Sequence, residues 1–345
     1  MAQDHDWERK IGRRLRLRDL HVVFAVADCG SMAKAAETLR VTQSAVSQMI
    51  ADVEQELGVR LFDRSRRGVE ATIYGQALIR RGKAAFDELR LGIQEIDYLK
   101  SEGVGEIRIG CPETLAASVL PAAIDAFSSR WPGVLLEVET FAGDAAAAKL
   151  RDRSIDLVLA RDGPGLKSLA ASDDFRITKL FEDRLSVVVG ANSPWAKLRQ
   201  PYLTDLKDAP WIVLPSGWGE DVLPKAFAAR GLPPPRTMLK TYSIHLRLHL
   251  LATGRFVSAL PQSVLRLHRE RFGLKELRIE LPKTPYAVAI VTLKNRTLSP
   301  LVDHFIASTQ SGFGKSFPEA PARDGRKPGP GASVAKKAPE AKRNG

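Results

Sequence analysis

The sequence predicts an α/β chain built of two unlike parts: a helical N-terminal part carrying a helix-turn-helix, and a longer part in which strands and helices alternate. Three observations carry this. Val46, Ile50, Val53 and Leu57 recur at steps of four, three and four, which lines one face of a helix. A shorter helical pattern precedes them across a turn of about three residues, the helix-turn-helix spacing. Beyond Gly105, runs such as Glu106–Cys111 and Val134–Thr140 are separated by helical stretches, as in parallel βαβ units.

The elements follow in order. Leu17–Asp28 carries Leu20, Val23, Phe24 and Ala27 on one helical face. Ser31 can cap a helix over Met32–Leu39, and Thr42 one over Gln43–Leu57, which Gly58 would end. In Val59–Thr72, Leu61 and Phe62 can anchor a hairpin-like turn at Gly68 that projects Arg64, Arg66 and Arg67. Ile73–Lys100 reads as one long helix with Phe86, Leu89, Ile93 and Ile96 in a heptad-like seam. Ser101–Gly105 interrupts it. Helices are then expected over Leu115–Trp131 and Ala145–Asp152, with strands over Ile155–Ala160, Leu185–Val189, Trp211–Leu214 and Ala287–Leu293.

Composition narrows the function classes. The 345 residues carry a formal net charge of +12, which suits a polyanionic partner. Much of the excess is terminal: 311–345 holds eight Lys/Arg against three Asp/Glu, is rich in Gly, Pro, Ala and Lys, and is expected to be disordered. Two cysteines, Cys29 and Cys111, allow neither a disulfide framework nor a Cys-rich zinc site, and fit a reducing cytoplasm. No apolar run approaches the roughly 20 residues that span a bilayer, so no membrane is expected.

The outward face of the second helix of the pair carries Gln43, Ser44, Ser47 and Gln48. Such side chains at a helix start suit the major groove, where a glutamine amide can bond adenine at two points. Arg64, Arg66 and Arg67 could lie along phosphates or in a narrow minor groove. A solvated polar face is the alternative for any of these positions taken singly.

With those residues in view, Leu17–Thr72 resembles the winged helix-turn-helix of LysR-type transcriptional regulators. The carrying pattern runs from Phe24 through Ser31, Ala35-Ala36 and Leu39. It continues through Thr42-Gln43-Ser44, Ser47, Ile50, Val53-Glu54, Leu57-Gly58, Leu61-Phe62 and Arg64 to Thr72 and Gly75. The resemblance implies that Thr42, Gln43, Ser44, Ser47 and Gln48 approach DNA and that Arg64 begins the wing. One departure is that Gln48, Met49, Ala51 and Asp52 stand where the family often has basic residues, so phosphate affinity must lean on the wing, with Lys34 and Arg40. The family also implies a homodimer joined through the long helix, with a tetramer as the alternative, and RNA polymerase as a further partner.

The C-terminal part resembles the effector domain of that family, with the two-lobed fold of periplasmic binding proteins. The matching features are the strand–Pro–helix start at Gly110–Leu115, Ile155-Asp156-Leu157 and Leu251–Pro261. The chain should cross between lobes near Leu180–Leu185 and Leu277–Pro285. Glu113, Thr114, Ser216, Gly217 and Ser243 begin helices that would face the cleft, where free N–H groups and hydroxyls suit a small anionic effector. Thr114 is expected to cap its helix. Phe256, in place of a second glycine after Gly254, is expected to narrow the cleft.

Other chemistry finds less support. His245 and His249 have a metal-binding spacing but no third ligand nearby. Cys111 could sense oxidants only with a lowered pKa. No Gly-x-Ser-x-Gly elbow or P-loop occurs, so neither catalytic residues nor a cofactor are expected. The expected domains are 13–72 for DNA binding, 73–101 for the linker helix, 102–310 for the effector and 311–345 for the tail. The expected function is a cytoplasmic, sequence-specific regulator of promoter DNA that responds to a small molecule. The alternative is a two-lobed small-molecule-binding protein with nonspecific nucleic-acid affinity.

Overall fold

A hydroxyl set one residue before an apolar-periodic run can accept a backbone N–H that the first helical turn leaves unpaired. Three such caps shape the N-terminal domain. Ser31 accepts from Lys34 N–H and starts α2 (Met32–Leu39), after α1 (Leu17–Cys29). Thr42 accepts from Ala45 N–H at 3.2 Å and starts α3 (Gln43–Leu57), which Gly58 ends in the left-handed conformation. Thr72 accepts from Gly75 N–H at 3.1 Å and starts α4 (Ile73–Lys100). The structure, a computed structural model, describes residues 15–65, 68–101, 103–141, 145–162, 166, 169–215, 221–282 and 285–316.

Val46, Ile50 and Val53 are fully buried with Val23, Val26, Ala35 and Leu61 in the core of this domain. An antiparallel hairpin, β1 (Phe62–Ser65) and β2 (Gly68–Ala71), forms the wing, with Phe62 opposite Ala71. Glu54 ties it to α3 by accepting the N–H groups of Leu61 at 2.7 Å and Phe62 at 3.1 Å. Phe86 packs edge-on against Phe24, centroids 5.3 Å apart, so it belongs to this domain's core rather than to a dimer seam. Leu89, Ile93 and Ile96 are 50, 61 and 51% exposed and form an uncovered apolar stripe.

The first lobe is a five-stranded sheet in the order β4-β3-β5-β12-β6. Its strands are β3 (Gly105–Cys111), β4 (Val134–Thr140), β5 (Leu157–Arg161), β6 (Phe175–Asp183) and β12 (Tyr286–Leu293). β3 runs parallel to β4 and β5, while β12 is antiparallel to β5 and β6. The second lobe is a sheet in the order β11-β7-β10-β8-β9. It contains β7 (Leu185–Gly190), β8 (Trp211–Val213), β9 (Thr237–Lys240), β10 (Val257–Pro261) and β11 (Leu274–Leu277). The chain crosses at Arg184 and again within 278–285, as the sequence predicts.

Several expectations need correction. The helix expected over Leu115–Trp131 is two helices, α5 (Glu113–Ala116) and α6 (Leu120–Ser128). Pro121 explains the break, because it has no N–H to donate and its ring would clash with the carbonyl four residues back. Strands β6, β9, β10 and β11 were not anticipated. β6 and β9 lie at sheet edges and expose much of their length, so they lack a continuous apolar run. The last described helix, α11 (Pro300–Ser316), continues past the expected start of the disordered tail. Phe313 is buried and stacks on Phe181 with centroids 5.4 Å apart, which anchors that end. Residues 317–345 lie outside the described part. Lobe two is completed by α8 (Val222–Ala228), α9 (Ile244–Ala252) and α10 (Gln262–His268), and lobe one by α7 (Ala146–Arg151).

Gly75 shows how closely the wing and α4 are fitted. A Cβ there would collide with the Leu61 carbonyl, which itself accepts the Thr72 N–H at 2.9 Å. Gly75→Ala should therefore destabilise the N-terminal domain by roughly 1–3 kcal/mol, the usual cost of overpacking. Denaturant unfolding checks this, and an unchanged midpoint would show that the wing yields freely.

Candidate DNA interface and effector cleft

At the start of α3, Thr42, Gln43, Ser44 and Gln48 are exposed and Ser47 is half-buried. The inward stripe of Val46, Ile50 and Val53 turns the other side of the helix outward. The Thr42 and Ser44 hydroxyls lie 3.0 Å apart, and the Gln48 amide donates to Asp52 at 2.8 Å, which holds its orientation. Arg64 is exposed on β1, and Lys34 and Arg40 are exposed on and just after α2. Arg66 and Arg67 lie outside the described residues.

The cleft lies where the parallel strands of lobe one end. Cys111 ends β3, Arg161 ends β5, and Asp183 and Tyr286 are paired at the same end. Asp183 accepts Ser263 Oγ at 2.6 Å and the Ser263 N–H at 3.2 Å, which ties the first crossing to α10. Ser263 Oγ lies 3.3 Å from Ser118 Oγ, which donates to the Thr114 carbonyl at 2.7 Å. Burial and the Asp183 charge push the Tyr286 phenol well above its ordinary pKa, while Arg161 opposes them. Burial lowers the Arg161 guanidinium, and its interactions with Tyr286 and Asp183 oppose that shift.

The expected effector residues divide into distinct roles. Glu113 accepts the Ile244 N–H at 3.0 Å, so a carboxylate of lobe one already occupies the start of α9 in lobe two. Ser243 accepts Leu246 N–H and caps the same helix. The helix start assigned to an anion by sequence is therefore filled by the protein. Thr114 does not cap α5. Pro112 holds the cap position, and Thr114 Oγ1 is buried without a hydrogen-bond partner. Ser216 and Gly217 lie outside the described residues. Phe256 packs partly buried on the apolar cluster of Val188, Leu248 and Leu251 in lobe two.

Arg247 is the residue that sequence reasoning missed. It is 2% exposed on α9, and its Nη2 donates to Ser258 Oγ at 2.8 Å and to the Ala259 carbonyl. Its Nε has no partner. Burial, with Arg161 as a second cause, lowers its pKa to about 10 against the pull of Glu113, so it remains cationic at neutral pH. The only sequence signal was an arginine between Leu246 and Leu248 on a largely apolar helix. A pocket of about 320 Å³ opens between the lobes, lined by Glu113, Ala116, His245, His268, Arg271 and Phe272 among others, with neither Arg247 nor Thr114 in its wall.

His245 and His249 meet Nε2 to Nε2 at 3.1 Å, and no group of three metal-binding side chains occurs among the described residues. Cys111 is fully buried, and burial raises its pKa to about 12, which keeps the thiol protonated. No described helix is long and apolar enough to cross a membrane.

An unpaired buried hydroxyl costs about 1–3 kcal/mol, whereas an isosteric apolar group at the same place costs none of it. Thr114→Val should leave the melting temperature of the protein alone unchanged or raised. A clear drop would show that Oγ1 is bonded in solution.

Comparison with known proteins follows the same division of the chain into two parts. Residues 17–76 match the family model for the bacterial regulatory helix-turn-helix protein of the lysR family, and residues 100–314 match the LysR substrate binding domain. The transcriptional dual regulator GltC of Bacillus subtilis is 29% identical over 291 residues, covering 84% of this chain and 95% of that protein. The HTH-type transcriptional regulator GbpR of Azospirillum brasilense is 26% identical over 289 residues, covering 83% of each. Among solved structures, full-length CbnR complexed with its target DNA aligns with a TM-score of 0.59 at 20% identity, over 86% of this chain and all of that one. A full-length OxyR variant from Pseudomonas aeruginosa aligns at 0.60 and 21%, over 87% and 95%.

Proposed function

This chain belongs to the LysR family of transcriptional regulators, with a helix-turn-helix DNA-binding domain and an effector-binding domain, and we propose how each end does its work. At the DNA end, α3 enters the major groove of promoter DNA with Thr42, Gln43, Ser44, Ser47 and Gln48, while the wing from Arg64 through Arg66 and Arg67 holds phosphates. The stripe of Leu89, Ile93 and Ile96 joins two copies into a homodimer that presents two such heads. RNA polymerase is the partner through which a bound regulator acts on transcription. At the other end, a small anion lies between the lobes with its charged group on Arg247 and Thr114.

The observation that carries the effector reading is a pair of buried polar groups left unpaired, Thr114 Oγ1 in lobe one and Arg247 Nε in lobe two. Buried polar groups are otherwise nearly always paired, and a carboxylate is an acceptor that either group can bond. A ligand that binds only the folded state raises its melting temperature. In a thermal-shift screen of small carboxylic acids, an acid that stabilises the wild type should give no shift with Arg247→Met. A full shift in that variant would remove Arg247 from the site.

The DNA reading is tested on a site selected from random DNA by the full-length protein. Gln43→Ala should lose roughly 1–3 kcal/mol on that site and little on random DNA, as expected for a two-point base contact. Arg64→Ala should weaken both alike and flatten the salt dependence by about one unit of slope. Equal losses on both DNAs for Gln43→Ala would place it outside base readout.

A further inference from the structure

Asp87 lies on α4, yet it is only 5% exposed, because lobe one closes around it. Arg296, from the loop after β12, grips it as a fork: Nε is 2.7 Å from Oδ2 and Nη2 is 2.9 Å from Oδ1. Arg153, from the loop before β5, reaches Oδ2 at 3.0 Å. Arg90, one turn along α4, bonds Oδ1 at 2.9 Å and also reaches Asp156 at 3.1 Å. Asp156 is 2% exposed and further holds Arg296 at 2.6 Å and Arg108 of β3 at 2.9 Å. Glu88 touches Arg153 at 3.2 Å from the rim.

This is a closed cage of two buried carboxylates and four guanidiniums contributed by four separate segments. Burial would raise both carboxyls, but the arginines more than offset it and hold Asp87 and Asp156 below their ordinary pKa. Arg153 closes the cage from a left-handed backbone conformation, φ 57°, which side chains other than glycine seldom adopt. Such strain persists only where the surroundings impose it.

A buried ion network is weak evidence for stability, since apolar residues of similar volume serve as well. What a two-point fork adds is direction. It fixes the rotation and axial register of α4 against lobe one. Two positions on a helix are roughly 200° apart in rotation, so Asp87 and Leu91 face lobe one while Leu89 and Ile93 face the opposite way. The cage therefore determines how lobe one hangs relative to the apolar stripe.

We infer that Asp87 is a positioning residue for DNA recognition: through its cage with Arg296, Arg153 and Asp156 it fixes the linker helix on lobe one, and so sets the spacing at which two DNA-reading heads engage an operator. The inference rests on the two-headed DNA reading proposed above.

The test uses the full-length protein and DNA that it selects from a random pool. The two half-sites of the selected DNA are then separated by one to five inserted base pairs, and a single half-site serves as a reference. The wild type should prefer one spacing. Asp87→Asn should reduce that preference about tenfold while changing single half-site affinity less than twofold. Arg90→Gln, a less buried member of the cage, should do the same more weakly and covers the case in which Asp87→Asn fails to fold. Leu91→Ala, on the same face and uncharged, should lower the melting temperature and keep the spacing preference. An undiminished preference in folded Asp87→Asn or Arg90→Gln, or an equal loss in Leu91→Ala, would reduce the cage to packing and overturn the inference. A wild type with half-site affinity but no preferred spacing would overturn both this inference and the two-headed reading.

Discussion

Helix α4 has several sets of neighbours and a single surface to offer them. Its first half is shaped by the DNA-binding domain. Gly75 lies against the Leu61 carbonyl, and Gly82 lies where a Cβ would come within 2.8 Å of the Phe24 ring. Phe86 closes that contact. One residue later the demand changes, and Asp87 enters the arginine cage of lobe one. Farther on, Tyr98 packs beside Trp131 of lobe one. The remaining face carries Leu89, Ile93 and Ile96, which no described element covers. A helix so divided has little freedom to rotate, because any turn that improved one contact would spoil another.

Lobe one borders two buried charge systems of opposite character. Around Asp87 and Asp156 the charges pair with one another, and backbone groups take part, as where Arg296 donates to the Ile155 carbonyl at 2.9 Å. Toward the other lobe, Arg247 Nε and Thr114 Oγ1 are buried without partners. The physical rule that buried polar groups are satisfied makes the first arrangement ordinary and the second one that an anion would complete. Glu113 shows how the protein limits where that anion can go. By accepting Ile244 N–H it already fills the start of α9, the helix that carries the buried Arg247.

Local features were legible in the sequence and distant ones were not. The bounds of α2, α3 and α4 follow from hydroxyl caps and a single apolar stripe, signals that lie within a few residues of each other. The crossings between lobes were placed by family resemblance and agree with the chain path at Arg184 and 278–285. Edge strands such as β6 were missed because solvent on one side removes the continuous apolar run that marks a buried strand. Phe86 was assigned to the seam because periodicity gives a face but not its neighbour. Asp87, Asp156 and Arg296 are separated by 69 and 140 positions, and no local pattern distinguishes them from solvated charges. Arg247 was passed over for the same reason.

The two charge systems stand at opposite ends of the same pair of strands. Asp156 immediately precedes β5, and Arg161 ends it. Tyr286 begins the neighbouring β12, and Arg296 follows its end by three residues. The strands are antiparallel, with Val288 opposite Arg161 and Val291 opposite Val158, so cleft and cage are roughly 17 Å apart along a five-residue strand. Both strands are in the middle of the sheet and are mostly buried, and close-packed interiors of this kind do not deform gradually. These two strands therefore link the cleft end of lobe one to the cage on α4 through one packed layer. The lobes are joined by the two crossings, with Asp183 beside the first and Tyr286 beside the second. A ligand held by both lobes would therefore act across those crossings, between lobe two and the packed layer that meets α4.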